Sequence, residues 1–245
     1  MVSEVAIREP PGGWAPPWPQ ARELALAAPN EWILIGGLMV ALHSRIAGRE
    51  PSRTTHDLDA LLDLTCTNMQ RADGALRGLG YTFAASIDDA APAHRWVRER
   101  DRAVVDVLVP DHQPRPPRFA RRGTVAVPGA TSVLARHVER VTVVGEVPIA
   151  LRIPTLPGAV VLKSGAYLAD SRDRDRHLDD LAELLSCAPD YRRILQELGL
   201  GDRRRLRAAL PNLAAHLRHD SRHQRVAALL PLIGNALGLE PPLTF

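Results

Sequence analysis

A mixed α/β N-terminal half followed by a helical C-terminal part is the fold class this sequence predicts. Three observations predict it. Short apolar runs such as Trp32–Ile35 and Ala103–Val109, bounded by turn residues, read as strands. Stretches with helical spacing, Leu38–Arg45 and Asn68–Leu79, lie between them, so strands and helices alternate. From Gly158 onward the pattern becomes helical throughout.

Taken in order, residues 1–19 are rich in Pro, Gly and Trp and predict an irregular arm, with Trp14 and Trp18 available to pack on the body. Residues 20–28 predict a short helix. Trp32–Ile35 is a buried strand ended by Gly36-Gly37, and Leu38–Arg45 a helix. Residues 48–55 form a loop, and Leu58–Leu64 is the next strand. Asn68–Leu79 is a helix that Gly80 stops. Tyr81–Ala85 and Arg95–Glu99 are candidate strands. Ala103–Val109 is a clear one, closed by Pro110-Asp111, and the Pro/Arg stretch 110–122 is a loop or linker. Thr124–Val127 and Val147–Ile153 are further short strands. Helices are expected over 158–170, 175–187, 189–198, 201–217 and 220–237, and no internal repeat is evident.

The chain has 245 residues, enough for one large domain or two small ones with a sizeable core. It is 45% apolar and 24% charged, as ordinary globular proteins are. The net charge is only +3, with a pI near 9.3. Nearly all the positive charge is arginine, and Lys163 is the one lysine. Arginine suits forked contacts to phosphate, so an anionic partner is allowed but not demanded. Cys66 and Cys187 lie far apart without metal-type spacing and read as reduced thiols of a cytoplasmic protein. No apolar run is long enough to span a membrane, and the acidic, Pro- and Trp-bearing N-terminus does not read as a signal peptide.

The most informative stretch is Arg53-Thr54-Thr55-His56-Asp57-Leu58-Asp59. Alternation along a strand points residues i and i+2 to one face, so Asp57 and Asp59 project together. Two like charges on a half-buried strand repel each other and lose hydration, and a divalent cation between them relieves both costs. Hard carboxylate oxygens suit Mg²⁺ or Mn²⁺. An isolated pair of this kind is more often a turn cap beside a solvated acid, so its companions decide the matter.

Three companions are present. Gly36-Gly37 stands at a strand-to-helix transition, where glycine lets a phosphate approach the backbone and the helix N-terminus offers free N–H groups. Asp106 lies in mid-strand among Val104, Val105, Val107 and Leu108, a costly position unless it is paired, metal-bound or on an edge facing water. A strand beside the first would bring it to Asp57 and Asp59, and three converging carboxylates can hold two metal ions for phosphoryl displacement. Lys163 follows Val160-Val161-Leu162. It is either a compact charge for a triphosphate or a surface lysine near a helix start.

The string Gly36-Gly37-Leu38-Met39-Val40-Ala41-Leu42-His43, followed by Arg53-x-Thr55-x-Asp57-Leu58-Asp59, resembles the nucleotidyltransferase fold of the DNA polymerase β type. More narrowly it resembles the AbiEii/AbiGii toxin family of type IV toxin–antitoxin systems, which includes the MenT toxins. That family carries a Gly-Gly or Gly-Ser turn, R-x-T-x-D-x-D, a later strand aspartate that Asp106 matches, and a K-x-x-A…R-D-L-x-D-L segment. Lys163, Ala166, Arg176, Leu178, Asp180 and Leu181 fit the last block, while His177 stands where the family often has its first Asp. The resemblance covers roughly residues 30–185.

The resemblance implies a polymerase-β-like core with a mixed sheet over residues 1–155, N-terminal arm included, and a helical C-terminal domain over 156–245. It implies Mg²⁺- or Mn²⁺-dependent transfer of a nucleoside monophosphate from an NTP, with pyrophosphate released. The acceptor would be the 3′ end of a tRNA, another RNA or the protein itself, and a cognate antitoxin would be a partner. Asp57 and Asp59 would hold the triphosphate's metal, and Asp106 would share a second and help activate the acceptor hydroxyl. The backbone at Gly36 and Gly37, with Thr55 nearby, would cradle phosphates. Arg53 and Lys163 would neutralise the leaving pyrophosphate. Asp180 would orient Lys163 or contact the nucleotide.

Arg203-Arg204-Arg205-Leu206-Arg207 and the segment 218–225 put dense positive charge on the last helices. Such a run is either a solvated face or a surface for RNA backbone. With three Phe and three Tyr, base-stacking platforms are not evident. Leu206, Leu210, Leu213 and Leu217 recur at helical spacing and read as core. Two other functions compete. One is a transferase of the same fold acting on a small molecule such as an aminoglycoside. The other is a non-catalytic relative, which has no use for three clustered carboxylates.

Overall fold

The computed structural model describes residues 5–10, 12–218 and 220–240. The chain begins with β1 (Val5–Arg8) and α1 (Trp18–Ala27), then β2 (Trp32–Ile35), α2 (Gly36–Ile46), β3 (Asp57–Leu62) and α3 (Met69–Gly78). Five strands follow: β4 (Thr82–Phe83), β5 (Arg95–Arg98), β6 (Ala103–Pro110), and the short β7 (Arg118–Phe119) and β8 (Arg122–Gly123). Next come β9 (Ala126–Val127), α4 (Ala130–Arg136), β10 (Val138–Val144) and β11 (Ile149–Pro154). The rest is helical: α5 (Leu156–Ala169), α6 (Arg174–Ser186), α7 (Tyr191–Glu197), α8 (Leu200–Leu217), a 3₁₀ turn (Ser221–His223) and α9 (Gln224–Ala236). The mixed α/β half and helical C-terminal part are therefore as expected.

The principal sheet runs β2-β3-β6-β5-β4, with β9 continuing beside the end of β6. It is mixed. The β3 and β6 strands are parallel, whereas β2 runs antiparallel to β3 and β5 antiparallel to β6. Their apolar residues explain the central position of β3 and β6, since Leu58, Ala60, Leu61, Val105, Val107 and Val109 are all buried. Asn68 begins α3 by accepting hydrogen bonds from the Gln70 and Arg71 N–H groups, both at 3.0 Å.

The second sheet, β1-β10-β11, departs from the expected organisation. Residues 5–8 of the arm are not irregular. They form a strand parallel to β10, with Val5 opposite Val141. Neither β10 nor α4 was expected from local pattern. Residues 1–4 and 11 of the arm lie outside the described residues. Trp14 and Trp18 do pack on the body, both buried, with ring centroids 4.5 Å apart.

In the helical part, α5 is buried along most of its length and packs on α6 and α8. Leu206, Leu210, Leu213 and Leu217 are buried on the inner face of α8, as their spacing predicts. Cys66 and Cys187 are both free thiols. Among the described residues no helix is long and apolar enough to cross a membrane.

Candidate active site

Register builds the site. In the parallel pair β3–β6, Asp59 lies directly beside Asp106, and Asp57 beside Val104. On the other flank of β6, Asp106 faces Arg95 of β5. Asp59, Asp106 and Arg95 thus stand in one row across three neighbouring strands, which are about 4.8 Å apart in such a sheet. Asp57 sits one pleat earlier on the same face as Asp59. Its carboxylate accepts a 3.2 Å hydrogen bond from the Thr55 hydroxyl.

The glycine pair closes one side. Ile35, the last residue of β2, pairs with Asp59, so the chain turns into α2 directly against that carboxylate. Gly36 has φ 70°, and a Cβ added there would overlap Asp59 Oδ2. Both the left-handed backbone and the close approach demand glycine. A Cβ on Gly37 would come within 2.9 Å of Arg53 Nη2 and Thr55 Oγ1. No side chain caps α2. Its first N–H groups are therefore left for other partners, and the helix starts against the Asp59–Thr55–Arg53 corner.

The cationic side comes from the helical part. Lys163 lies in the middle of α5 rather than at its start, and it is 4% exposed, so it is no surface lysine. Its Nζ is 2.7 Å from Asp180 Oδ2. Arg53 also forks onto Asp180, with Nε donating to Oδ1 at 2.7 Å and Nη2 to Oδ2 at 2.8 Å. Asp180 is 1% exposed. Burial alone would raise its pKa, but Lys163 and Arg53 overcome that and hold it at about 2. One buried carboxylate thus fixes two cations, one from the loop before β3 and one from α5. Arg176 of α6 adds charge nearby, and its buried Nε has no hydrogen-bond partner among the described residues. His177, at the family's first Asp position, points elsewhere, with Nε2 3.5 Å from Asp170 Oδ2.

The carboxylates differ in their partners. Asp106 is buried and taken up by Arg95, whose Nε and Nη2 donate to its two oxygens at 2.8 and 2.6 Å. The same Nη2 is 4.0 Å from Asp57 Oδ2. Asp59 has no hydrogen bond or ion pair among the described residues. Burial, together with the charges of Asp57 and Asp106, pushes its pKa up to about 7 against the pull of Lys163 and Arg176. A half-buried carboxylate left unpartnered beside two others fits a hard divalent cation, and Asp57 and Asp59 offer the oxygens for it. Among the described residues no three Asp, Glu, His or Cys side chains form a ready-made cation cage. Asp106, the carboxylate expected to share a second metal, has both of its oxygens engaged by Arg95.

Sequence reading missed Arg95. Its only signal was an arginine in a short strand, and its role depends on a cross-strand register that local pattern does not reveal. A groove of about 500 Å³ opens beside Arg53 and Thr55, walled by Trp14, Trp18, Leu38 and Arg45. The basic C-terminal run is largely engaged within the protein. Arg203 donates to the carbonyls of Leu195 and Leu198, Arg205 pairs with Asp202 and Asp111, and Arg222 pairs with Asp220. Arg204, Arg207 and Arg218 are exposed, have no ion pair among the described residues, and fall on one side of α8 by helical spacing.

No protein-family model matches the sequence, and no curated protein matches it. Among solved structures, the chain is similar to the crystal structure of an antigenic nucleotidyltransferase-like protein from Paracoccidioides brasiliensis. The TM-score is 0.46 at 15% identity, over 81% of this chain and 91% of that one.

Proposed function

We propose that this protein is a metal-dependent nucleotidyltransferase that moves a nucleoside monophosphate from an NTP to an RNA acceptor and releases pyrophosphate. The observation that carries this reading is the unpartnered Asp59 carboxylate, set beside Asp57 and Asp106 and pressed against the Gly36 backbone at an uncapped helix N-terminus. Carboxylates gathered next to free N–H groups and two fixed cations make a site for a polyphosphate rather than for a neutral ligand.

Asp57 and Asp59 would hold Mg²⁺ or Mn²⁺. When bound, that ion would screen the triphosphate and polarise the phosphorus under attack. The amides at the start of α2 receive phosphate oxygens, and Gly36 and Gly37 keep that approach clear of side chains. Arg53 and Lys163 face the charge that builds on the leaving pyrophosphate. Asp180 positions both, so neither must be ordered during reaction. Asp106, once released by Arg95, would help activate the incoming hydroxyl.

The RNA acceptor, taken to be a tRNA 3′ end, rests on the exposed stripe Arg204–Arg207–Arg218, which suits a phosphate backbone. A toxin role with a cognate antitoxin follows from the motif resemblance. The test is to incubate the protein with each α-labelled NTP, Mg²⁺ and total tRNA. Label is expected in RNA with one or more NTPs and is expected to be lost in Asp57→Ala and Asp59→Ala. Label transferred only to an added aminoglycoside would replace the RNA reading with the small-molecule one. No label on RNA, protein or small molecule with any NTP would sink the transferase reading.

A further inference from the structure

We propose that Arg95 occupies the place of a second cation in this site, reserving Asp106 so that the resting protein takes up one divalent ion rather than two. The inference rests on the transferase reading of Asp57 and Asp59 and goes beyond it. Arg95 is directly opposite Asp106 in the β5–β6 register, and its guanidinium engages both carboxylate oxygens. A forked arginine–carboxylate pair is among the stronger side-chain contacts, and it uses the oxygens a metal would need. The same guanidinium lies 4.0 Å from Asp57 Oδ2, so its positive charge also offsets that carboxylate. Of the three carboxylates, Asp59 alone has no hydrogen bond or ion pair among the described residues.

Charge supports the same count. With Arg95 in place, a single divalent cation neutralises the three carboxylates and the guanidinium together. A second would leave an excess of two positive charges before any substrate arrives. The Arg95 side chain is 44% exposed, whereas that of Asp106 is 10% exposed. The arginine can therefore swing into solvent while the aspartate stays fixed. Arg95 and a second ion thus compete for Asp106, and an anionic substrate that draws Arg95 away opens the second position.

The experiment is a Mn²⁺ titration of the full chain without nucleotide, with bound ion counted by electron paramagnetic resonance. Wild type is expected to bind one Mn²⁺ per chain and Arg95→Ala two. The second should vanish again in the Arg95→Ala/Asp106→Asn double variant. Two ions in wild type, or one in Arg95→Ala, would overturn the proposal and leave the transferase reading standing. If Arg95→Ala does not fold, Asp106→Asn decides. It should keep the single Mn²⁺ with affinity within about threefold of wild type, and loss of that ion would overturn the proposal. No Mn²⁺ bound by wild type or any variant would remove the metal-dependent reading itself.

Discussion

Arg53 and Asp180 lie 127 residues apart in sequence and meet through two charge-assisted hydrogen bonds of 2.7 and 2.8 Å. The contact ties the loop before β3 to α6, so the phosphate-facing corner depends on the helical part being in place. Lys163 shares the same carboxylate at 2.7 Å.

Removing that carboxylate's charge leaves two cations without their counterion, one of them buried. Breaking a buried pair from one side costs about 3–5 kcal/mol. Asp180→Asn is therefore expected to lower unfolding stability by an amount of that order, measured by urea denaturation. In whatever fraction stays folded, the KM for NTP should rise because Arg53 and Lys163 lose their positions. Unchanged stability and KM would mean the three residues act independently.

Gly36 and Gly74 make a paired test of backbone against function. At Gly36 an added methyl overlaps Asp59, and the φ of 70° is unfavourable for alanine by about 1–2 kcal/mol. Gly36→Ala should displace the carboxylate and reduce transfer by about a hundredfold or more, the scale expected for a misplaced reacting group. Gly74, exposed within α3, meets nothing within 4 Å. Gly74→Ala should leave transfer unchanged and stabilise the protein by about 0.5–1 kcal/mol. Transfer rates and thermal melts of the two variants check both statements.

A second buried network predicts how stability varies with pH. Glu183 accepts a 2.8 Å hydrogen bond from the Ser44 hydroxyl, lies 3.3 Å from His223 Nε2 and is approached by Arg49 at 3.6 Å. His223 Nδ1 is 2.8 Å from Asp220. The hydrogen bond to Glu183, with Asp220 assisting, raises the His223 pKa against burial. Burial pushes Glu183 upward, but His223, Ser44 and Arg49 bring its pKa below the ordinary value. The His223 contribution is complete below its unfolded pKa near 6.5 and is lost as pH rises through the higher folded value. The Glu183 contribution is present above its unfolded pKa near 4.5 and is lost as pH falls through the lower folded value. The clasp is strongest between those limits. Between pH 5.5 and pH 8.5 the urea midpoint of wild type should fall relative to that of His223→Ala, which lacks this contribution. An equal change in the variant would assign the pH dependence to other groups.

The parts of the site written in local sequence were legible, and those made by long-range pairing were not. Asp57 and Asp59 share a face because a strand alternates. The apolar neighbours of Asp106 marked a strand but left its place in the sheet open, and the β3–β6 register then set it beside Asp59. Gly36-Gly37 marked the turn, although how closely Gly36 abuts Asp59 emerged only from the β2–β3 pairing. The β1 strand was invisible because Val5–Arg8 is a short segment in a Pro- and Trp-rich arm, and its partner Val141 lies far along the chain. Arg95 is an ordinary charged residue in its own segment and acquires its role from a partner on another strand. Asp180 stood out through the motif resemblance, with Lys163 as its expected partner, but its forked pairing with Arg53 emerged only from the packing of α6. The basic run on α8 shows the reverse, since density in sequence overstated the free charge that Asp111, Asp202 and main-chain carbonyls leave exposed.

Asp57 and Asp59 are proposed to support nucleotidyl transfer through a divalent ion. The most direct measurement compares α-label transfer from NTP by wild type with Mg²⁺, by wild type with a chelator, and by Asp59→Asn with Mg²⁺, each shown to be folded by circular dichroism. Labelled acceptor in the first reaction alone is the predicted result. Comparable labelling in the chelated reaction or by Asp59→Asn would contradict the account.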